Sequence, residues 1–245
     1  VGISSLFFLI FIYVNKNLTI VIPCKNEGFL IIETLLLLLS QKEKFRIIIA
    51  DSSDNEESIL LLKKYQKKYS KQIQITEGGF PARARNNGAK LVDTPYILFL
   101  DADIHIKQDD LIVKCLNEMI VGRYDLLTCK FKTLDGKFDW IYKIFNVVQW
   151  FSSKTTPFAL GGFMLFKTDT FNELKGFNNE DKIAEDYHLS SKISPSKFRV
   201  ENLFVYTPSR RFEKKGLWYM MKLMVMCWWN RNNDDFFKQD FNYWI

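Results

Sequence analysis

Short apolar runs alternate with longer amphipathic stretches through the first half of the chain, and each run ends in a polar cluster. Leu18 to Ile22 is rich in β-branched residues and predicts a buried strand. It ends in Pro23-Cys24-Lys25-Asn26-Glu27-Gly28. Phe29 to Leu39 is apolar almost all round, which predicts a helix pressed against a sheet. Phe45 to Ala50 predicts a second strand, closed by Asp51-Ser52-Ser53-Asp54. Ser58 to Tyr69 has the period of an amphipathic helix, with Lys63, Lys64, Lys67 and Lys68 on a solvated face. Gln72 to Thr76 alternates as a third strand, and Glu77-Gly78-Gly79-Phe80-Pro81 is a turn. Pro81 fits the first position of a helix running through Arg83, Arg85, Asn86 and Gly88 to Val92. Tyr96 to Leu100, after the turn signal Thr94-Pro95, is the fourth strand, and Asp101-Ala102-Asp103 follows at once.

Strand, helix, strand, helix in this order predicts an α/β chain with a parallel, doubly wound sheet. The second half is less regular. A helix is expected over Asp109 to Val121, a strand over Asp125 to Lys132, and an apolar strand after Gly161-Gly162 that ends at Phe166. Asp169 to Leu174 is a short helix closed by Gly176, Glu185 to Ile193 a further helix, and Phe198 to Tyr206 a final strand. Phe138 to Phe151 is crowded with aromatic residues, read first as core packing and second as a wall against an acceptor. Leu217 to Trp229 is very apolar, with Lys214 and Lys215 before it and tryptophans within it, the pattern of a helix lying in a membrane interface.

In open α/β sheets, ligands bind outside the carboxyl ends of the strands. Three polar strand ends collect there: Pro23 to Glu27, Asp51 to Asp54, and Asp101 to Asp103. Residues i and i+2 of an extended segment point the same way, so Asp101 and Asp103 can converge. Converging carboxylates repel unless a cation joins them; a hard ion, Mg²⁺ or Mn²⁺, would bring phosphates with it. Taken alone, Asp-x-Asp also fits a solvated turn. No GxGxxG or GxxxxGK[ST] grips a phosphate, which leaves that work to a metal on Asp103. Glu185 and Asp186 open a helix, where acids also suit the positive end of the dipole. His188 could be a further metal ligand but reads first as a packing residue or one supporting a ligand, and His105 is most simply structural.

Composition narrows the partners. A net charge of +6 on 245 residues is compatible with nucleic acid, anionic lipid or a phosphorylated substrate. The absence of helix-turn-helix, finger and aromatic-basic RNA signatures argues for no nucleic acid. Cys24, Cys115, Cys129 and Cys227 are far apart in sequence and read as reduced thiols in a cytosolic setting. Asn17-Leu18-Thr19 matches a glycosylation sequon but abuts a strand. Val1 to Val14 is nearly all apolar, yet shorter than the roughly 20 residues that span a bilayer. A truncated anchor and an interfacial helix fit it equally well, a buried helix less well, and a signal peptide lacks its basic start and cleavage site.

Val21-Ile22-Pro23 with Asn26-Glu27, then Asp51, Ala84-Arg85-Asn86 with Gly88, Asp101-Ala102-Asp103, Gly161-Gly162 and Glu185-Asp186 occur in an order that resembles the family-2 inverting glycosyltransferases of the GT-A fold. The resemblance covers about residues 18 to 212. It implies a Rossmann-like nucleotide-sugar-binding half over 17–104, fused to an acceptor-binding and catalytic half over 105–208 around a mostly parallel central sheet. An apolar segment over 1–16 would precede them, and an amphipathic, membrane-associated segment over 209–245 would follow.

By the same resemblance, Pro23, Glu27 and Asp51 line the nucleoside pocket, and Arg85 positions the nucleotide or its diphosphate. Asp103 ligates Mg²⁺ or Mn²⁺, with Asp101 near the ribose or the metal. Asp186, beside Glu185, takes the acceptor proton, and Gly161 and Gly162 let backbone approach the sugar. Arg211, next to Arg210, would meet diphosphate or a lipid phosphate. The implied reaction is metal-dependent, inverting transfer of one sugar from a nucleotide-sugar donor, a UDP-sugar, to a lipid-linked or glycan acceptor. It would proceed at a membrane surface with the active site facing the cytoplasm.

Two departures bear on this. The turn Asp51-Ser52-Ser53-Asp54-Asn55 is one residue shorter than the usual acidic turn, and no Gln-x-x-Arg-Trp of polymerising synthases is present. Two further readings are a sugar-1-phosphate nucleotidyltransferase and a non-catalytic membrane scaffold with a relict nucleotide site. The first expects a Gly-rich basic loop where this chain has one Lys and one Gly; the second is opposed by the intact set of carboxylates.

Overall fold

Seven strands form one sheet in the order β3-β2-β1-β4-β6-β5-β7. They belong to a computed structural model that describes residues 14–231 and 233–241, apart from the side chains of Val14 and Arg211. The strands are β1 (Val14–Cys24), β2 (Lys44–Asp51), β3 (Ile73–Glu77), β4 (Tyr96–Leu100), β5 (Leu126–Thr133), β6 (Phe163–Lys167) and β7 (Phe198–Thr207). β1 pairs in parallel with β2 and β4, β2 with β3, and β5 with β7. Only β6 runs the other way, wedged antiparallel between β4 and β5. The mostly parallel α/β sheet expected from the alternation is therefore present, with one reversed strand that alternation alone does not reveal.

The strands read as apolar runs because both faces of the sheet are covered. Ile97, Leu98, Phe99 and Leu100 of central β4 have no exposed surface. The helices are α1 (Phe29–Leu39), α2 (Glu56–Lys68), α3 (Pro81–Ala89), α4 (Leu111–Gly122), α5 (Asp139–Ser152), α6 (Thr168–Glu173), α7 (Glu185–Ser190), α8 (Arg210–Lys215), α9 (Leu217–Trp229) and α10 (Asp234–Phe237). Asn55 caps α2 by accepting from the Ser58 N–H at 2.7 Å, so that helix begins slightly earlier than its apolar period suggests. One buried cluster joins Leu18 and Leu98 of the first half to Leu127, Leu165 and Val205 of the second. All four cysteines are free and buried.

Phe138 to Phe151 forms α5, but not as core packing. Ile141 and Phe145 are buried, whereas Trp140, Ile144, Val147, Val148, Trp150 and Phe151 are exposed. α9 likewise buries Met220, Leu223 and Cys227 and exposes Trp218, Val225, Trp228 and Trp229. Its buried side packs with Ile183 and Tyr187 around α7 and with Phe236 and Phe237 of α10. Among the described residues no helix is long and apolar enough to cross a membrane. The apolar segment expected over 1–16 lies outside the described residues except for its last three.

Candidate active site

The carboxyl ends of β1, β2 and β4 bring the expected residues to one edge. Cys24 is registered with Asp51, and Val21 with Phe99. The loop after β1 turns through Asn26 at φ 54° and Gly28 at φ 52°. Asn26 secures it: its side-chain N–H donates to Asp54 at 2.7 Å and its carbonyl accepts from the Asp54 N–H at 3.0 Å. Asp51 accepts from the Ser53 hydroxyl at 2.6 Å, which fixes the short acidic turn. After β4, the buried Thr34 hydroxyl of α1 donates to the Ala102 carbonyl at 2.8 Å and pins the Asp-Ala-Asp turn. Pro23 and Asp51 lie at the paired ends of β1 and β2, and Glu27 follows in the loop after β1. Asp101, Asp103, Gly161, Gly162, Glu185 and Asp186 line a neighbouring cavity of about 640 Å³.

Two arginines organise the charge. Arg85 of α3 is 1 % exposed, pairs with Asp101 at 2.6 Å and also bonds Glu185. Burial disfavours its charge, and the carboxylates of Asp101, Glu185 and Asp186 more than offset that. Arg210 of α8 reaches Glu27 at 2.7 Å and Asp103 at 2.8 Å. Five carboxylates thus face two guanidiniums, leaving three formal negative charges in excess. Burial pushes Glu185 up to about 7 against the pull of Arg85, and raises Glu27 against the pull of Arg210.

Glu185 and Asp186 have different surroundings. Glu185 is 3 % exposed and committed to Arg85. Asp186 opens into the cavity, and each of its oxygens accepts a backbone N–H, from Gly161 at 2.6 Å and from Tyr187 at 2.7 Å. Burial raises its pKa, partly opposed by Arg85. Ala184, just before the pair, sits at φ 49°, a strained conformation for a residue with a side chain. Gly161 leaves room for both groups: a Cβ there would lie 2.6 Å from Arg85 Nη2 and 3.3 Å from Asp186 Oδ2.

Sequence reasoning assigned no task to Asn86. It clamps the segment leading to Glu185 and Asp186, donating to the Phe177 carbonyl at 2.7 Å and accepting from the Phe177 N–H at 3.0 Å. His188 packs as expected: it bonds buried Asp181 at 2.6 Å and stacks on Phe237. Its other ring nitrogen lies 3.3 Å from Asp234. Arg210 is the arginine that reaches the carboxylates, whereas the side chain of Arg211 lies outside the described residues.

Among the described residues, no cluster of three or more His, Cys, Asp or Glu could cage a metal by itself. Mg²⁺-type ions often need only one or two carboxylates, with substrate phosphates and water completing the shell. Asp103 suits that role. Its carboxylate already pairs with a cation, the Arg210 guanidinium, and it lines the cavity. Asp101 is partly committed to Arg85 and stands as an auxiliary ligand.

Comparison with known proteins identifies the family and the fold. The family model described as Glycosyl transferase family 2 matches residues 19–175. Poly(ribitol-phosphate) beta-glucosyltransferase of Bacillus spizizenii is 33 % identical over 204 residues, covering 74 % of this chain. The chain spans about a third of that curated relative, 31 % of its length. Among solved structures, mannosyltransferase PcManGT from Pyrobaculum calidifontis, in complex with GDP-Man and Mn²⁺, superposes with a TM-score of 0.68 at 18 % identity. That match covers 88 % of this chain and 64 % of the other. TarS 1–349 of S. aureus in complex with UDP-GlcNAc superposes with a TM-score of 0.60 at 18 % identity, covering 78 % and 58 %. At these identities the two structures establish the shared GT-A fold.

Proposed function

Because the chain belongs to glycosyl transferase family 2, we propose that it moves a single sugar from a nucleotide-sugar, a UDP-sugar, to an acceptor hydroxyl with inversion at the anomeric carbon. The observation that carries this reading is the placement of Asp186. It is a cavity-facing carboxylate, positioned by two backbone donors, and shares one cavity with Asp101 and Asp103.

In this reading the acceptor hydroxyl gives its proton to Asp186. The freed oxygen attacks the anomeric carbon, and the bond to the diphosphate breaks with its electron pair. A single displacement needs a base and no covalent nucleophile. Glu185 does not touch substrate; it fixes Arg85, which holds Asp101 and stands beside Asp186. Arg210 exchanges its carboxylate partners for the diphosphate, adding positive charge where the leaving group becomes anionic. Mg²⁺ or Mn²⁺ on Asp103, with Asp101 beside it, would supply further neutralisation of the diphosphate. Asp51, Pro23 and Glu27 would meet the nucleoside.

The acceptor is a lipid-linked molecule or a glycan. The exposed apolar faces of α5 and α9 support work at a membrane surface, and four free thiols support a site facing the cytoplasm. The Bacillus relative is named for a ribitol-phosphate polymer, which supports the glycan class.

A donor screen tests the reading. Release of nucleoside diphosphate from UDP- and GDP-sugars is followed with and without Mn²⁺ in the presence of mixed acceptors. Mn²⁺-dependent release from a UDP-sugar is expected; no release from any donor would defeat the proposal.

A further inference from the structure

The charged groups of the cavity that holds Asp186 gather around Asp101, Asp103 and Arg210; the rest of its wall is mostly apolar, with hydroxyls from Ser152, Thr155 and Thr156 where α5 ends. From Asp101, Asp103 and Asp186 it runs outward between α5 and α9, past Phe145 and Val148 on one side and Leu223, Met224, Val225 and Trp228 on the other. A site built for a polyol or a free oligosaccharide would set hydrogen-bonding side chains along that length, because buried sugar hydroxyls need partners. Here the side chains along α9 are hydrocarbon, thioether and indole, surfaces that adapt to flexible apolar ligands.

The apolar path continues beyond the mouth. Ile144 and Phe151 of α5 are each more than half exposed, as are Trp218 and Trp229 of α9. A surface helix of a soluble protein presents its polar side to solvent. These two present apolar side chains, and they flank the opening of a cavity that leads to the proposed base. An occupant that leaves the cavity therefore stays on apolar surface rather than entering water. Lys154 just after α5 and Lys222 on α9 are exposed as well, and cations suit the negative charge of a membrane surface.

From this continuity we infer that the acceptor is an amphiphile. The hydrocarbon chain of a membrane lipid lies between α5 and α9, and a hydroxyl of its head group reaches Asp186. The inference rests on the transferase reading above and narrows it from a lipid-linked or glycan acceptor to a lipid.

The test uses the full chain and β-glucosides that differ only in the alkyl group, from methyl through hexyl and octyl to decyl, each below its aggregation concentration. Binding is measured by calorimetry, with UDP and Mn²⁺ binding measured separately. Affinity should rise by about four-fold per added methylene once the chain enters the cavity. Val148→Asp and Met224→Asp place a charge on cavity walls that are already partly exposed, so the fold should tolerate them. They should flatten the series while leaving UDP binding unchanged. Leu60→Ser, an exposed apolar residue of α2 outside the cavity lining, should leave the series steep.

A flat series in the unaltered protein, or a steep one that survives both wall substitutions, overturns the inference. If UDP binds and the series is flat, the transferase reading stands and only the lipid falls; saturable binding of a ribitol-phosphate oligomer would then favour the polymer. If UDP and Mn²⁺ do not bind at all, the transferase reading falls and takes the acceptor assignment with it.

Discussion

Replacing Arg85 by Met tests how the catalytic edge is held together. Arg85 is 1 % exposed and pairs with Asp101 and with Glu185, itself 3 % exposed. Removing one member of a buried ion pair leaves an uncompensated charge and costs about 3–5 kcal/mol. For a chain of this size each kcal/mol shifts the melting temperature by roughly 2–4 °C, so a drop of about 6–20 °C is expected near pH 8.

The deficit should depend on pH. Burial raises Glu185 from its ordinary 4.5 to about 7 even with Arg85 in place, so the neutral form is favoured in the folded protein. A carboxyl whose folded pKa lies above its unfolded value contributes stability that is full below the unfolded pKa. That stability is lost as pH rises through the folded pKa. Without Arg85 the folded pKa rises further, and the loss extends to higher pH. Melting followed calorimetrically at about pH 5 and about pH 8 should show a larger deficit at the higher pH, and adding Glu185→Gln to Arg85→Met should recover much of it. An equal deficit at both values, or one under about 1 kcal/mol, would refute the view that Arg85 neutralises a buried acidic cluster.

Gly161→Ala should lower kcat more than it raises KM for the donor, because the added Cβ would displace Arg85 Nη2 and Asp186 Oδ2, at 2.6 and 3.3 Å; steady-state kinetics in both substrates read the split. Arg210→Ala frees Glu27 and Asp103, so Mn²⁺ alone should bind more tightly while UDP binds more weakly by about ten-fold or more, measured by paired titrations. Transfer should rise with pH along a limb set by Asp186. Its pKa is raised, so the midpoint of that limb in a kcat profile should lie above the ordinary Asp range.

The sequence made the first half of the fold legible because parallel, fully covered strands are continuous apolar runs, and each ends in the polar residues of the site. Asp51, Asp101 and Asp103 were visible for that reason. The reversed strand β6 was not, since an apolar run carries no sign of its direction. Nor could periodicity show that Arg85 would find Glu185 a hundred residues away, or that Arg210 would find Glu27 across 183. A signal was present for Arg85: it lies in a short helix among Ala82, Ala84 and Gly88, small residues that mark the buried face. Gly88 is such a contact, for a Cβ there would meet Val21 Cγ1 at 2.4 Å. The aromatic crowding of α5 was read as core because burial is the usual fate of such side chains. In the structure that crowding divides, with Phe145 buried against the cavity and Trp140, Trp150 and Phe151 facing outward.

Two carboxylates divide the proposed reaction between them, Asp103 for the donor and Asp186 for the acceptor proton. Calorimetric titration of UDP with Mn²⁺, run beside donor turnover on Asp103→Asn and Asp186→Asn, distinguishes them most directly. Asp103→Asn should lose metal-dependent UDP binding. Asp186→Asn should bind UDP as the unaltered protein does and lose transfer by about 10²–10⁴-fold. Full transfer by the Asp186 variant, or unchanged metal-dependent binding by the Asp103 variant, would contradict the assignment.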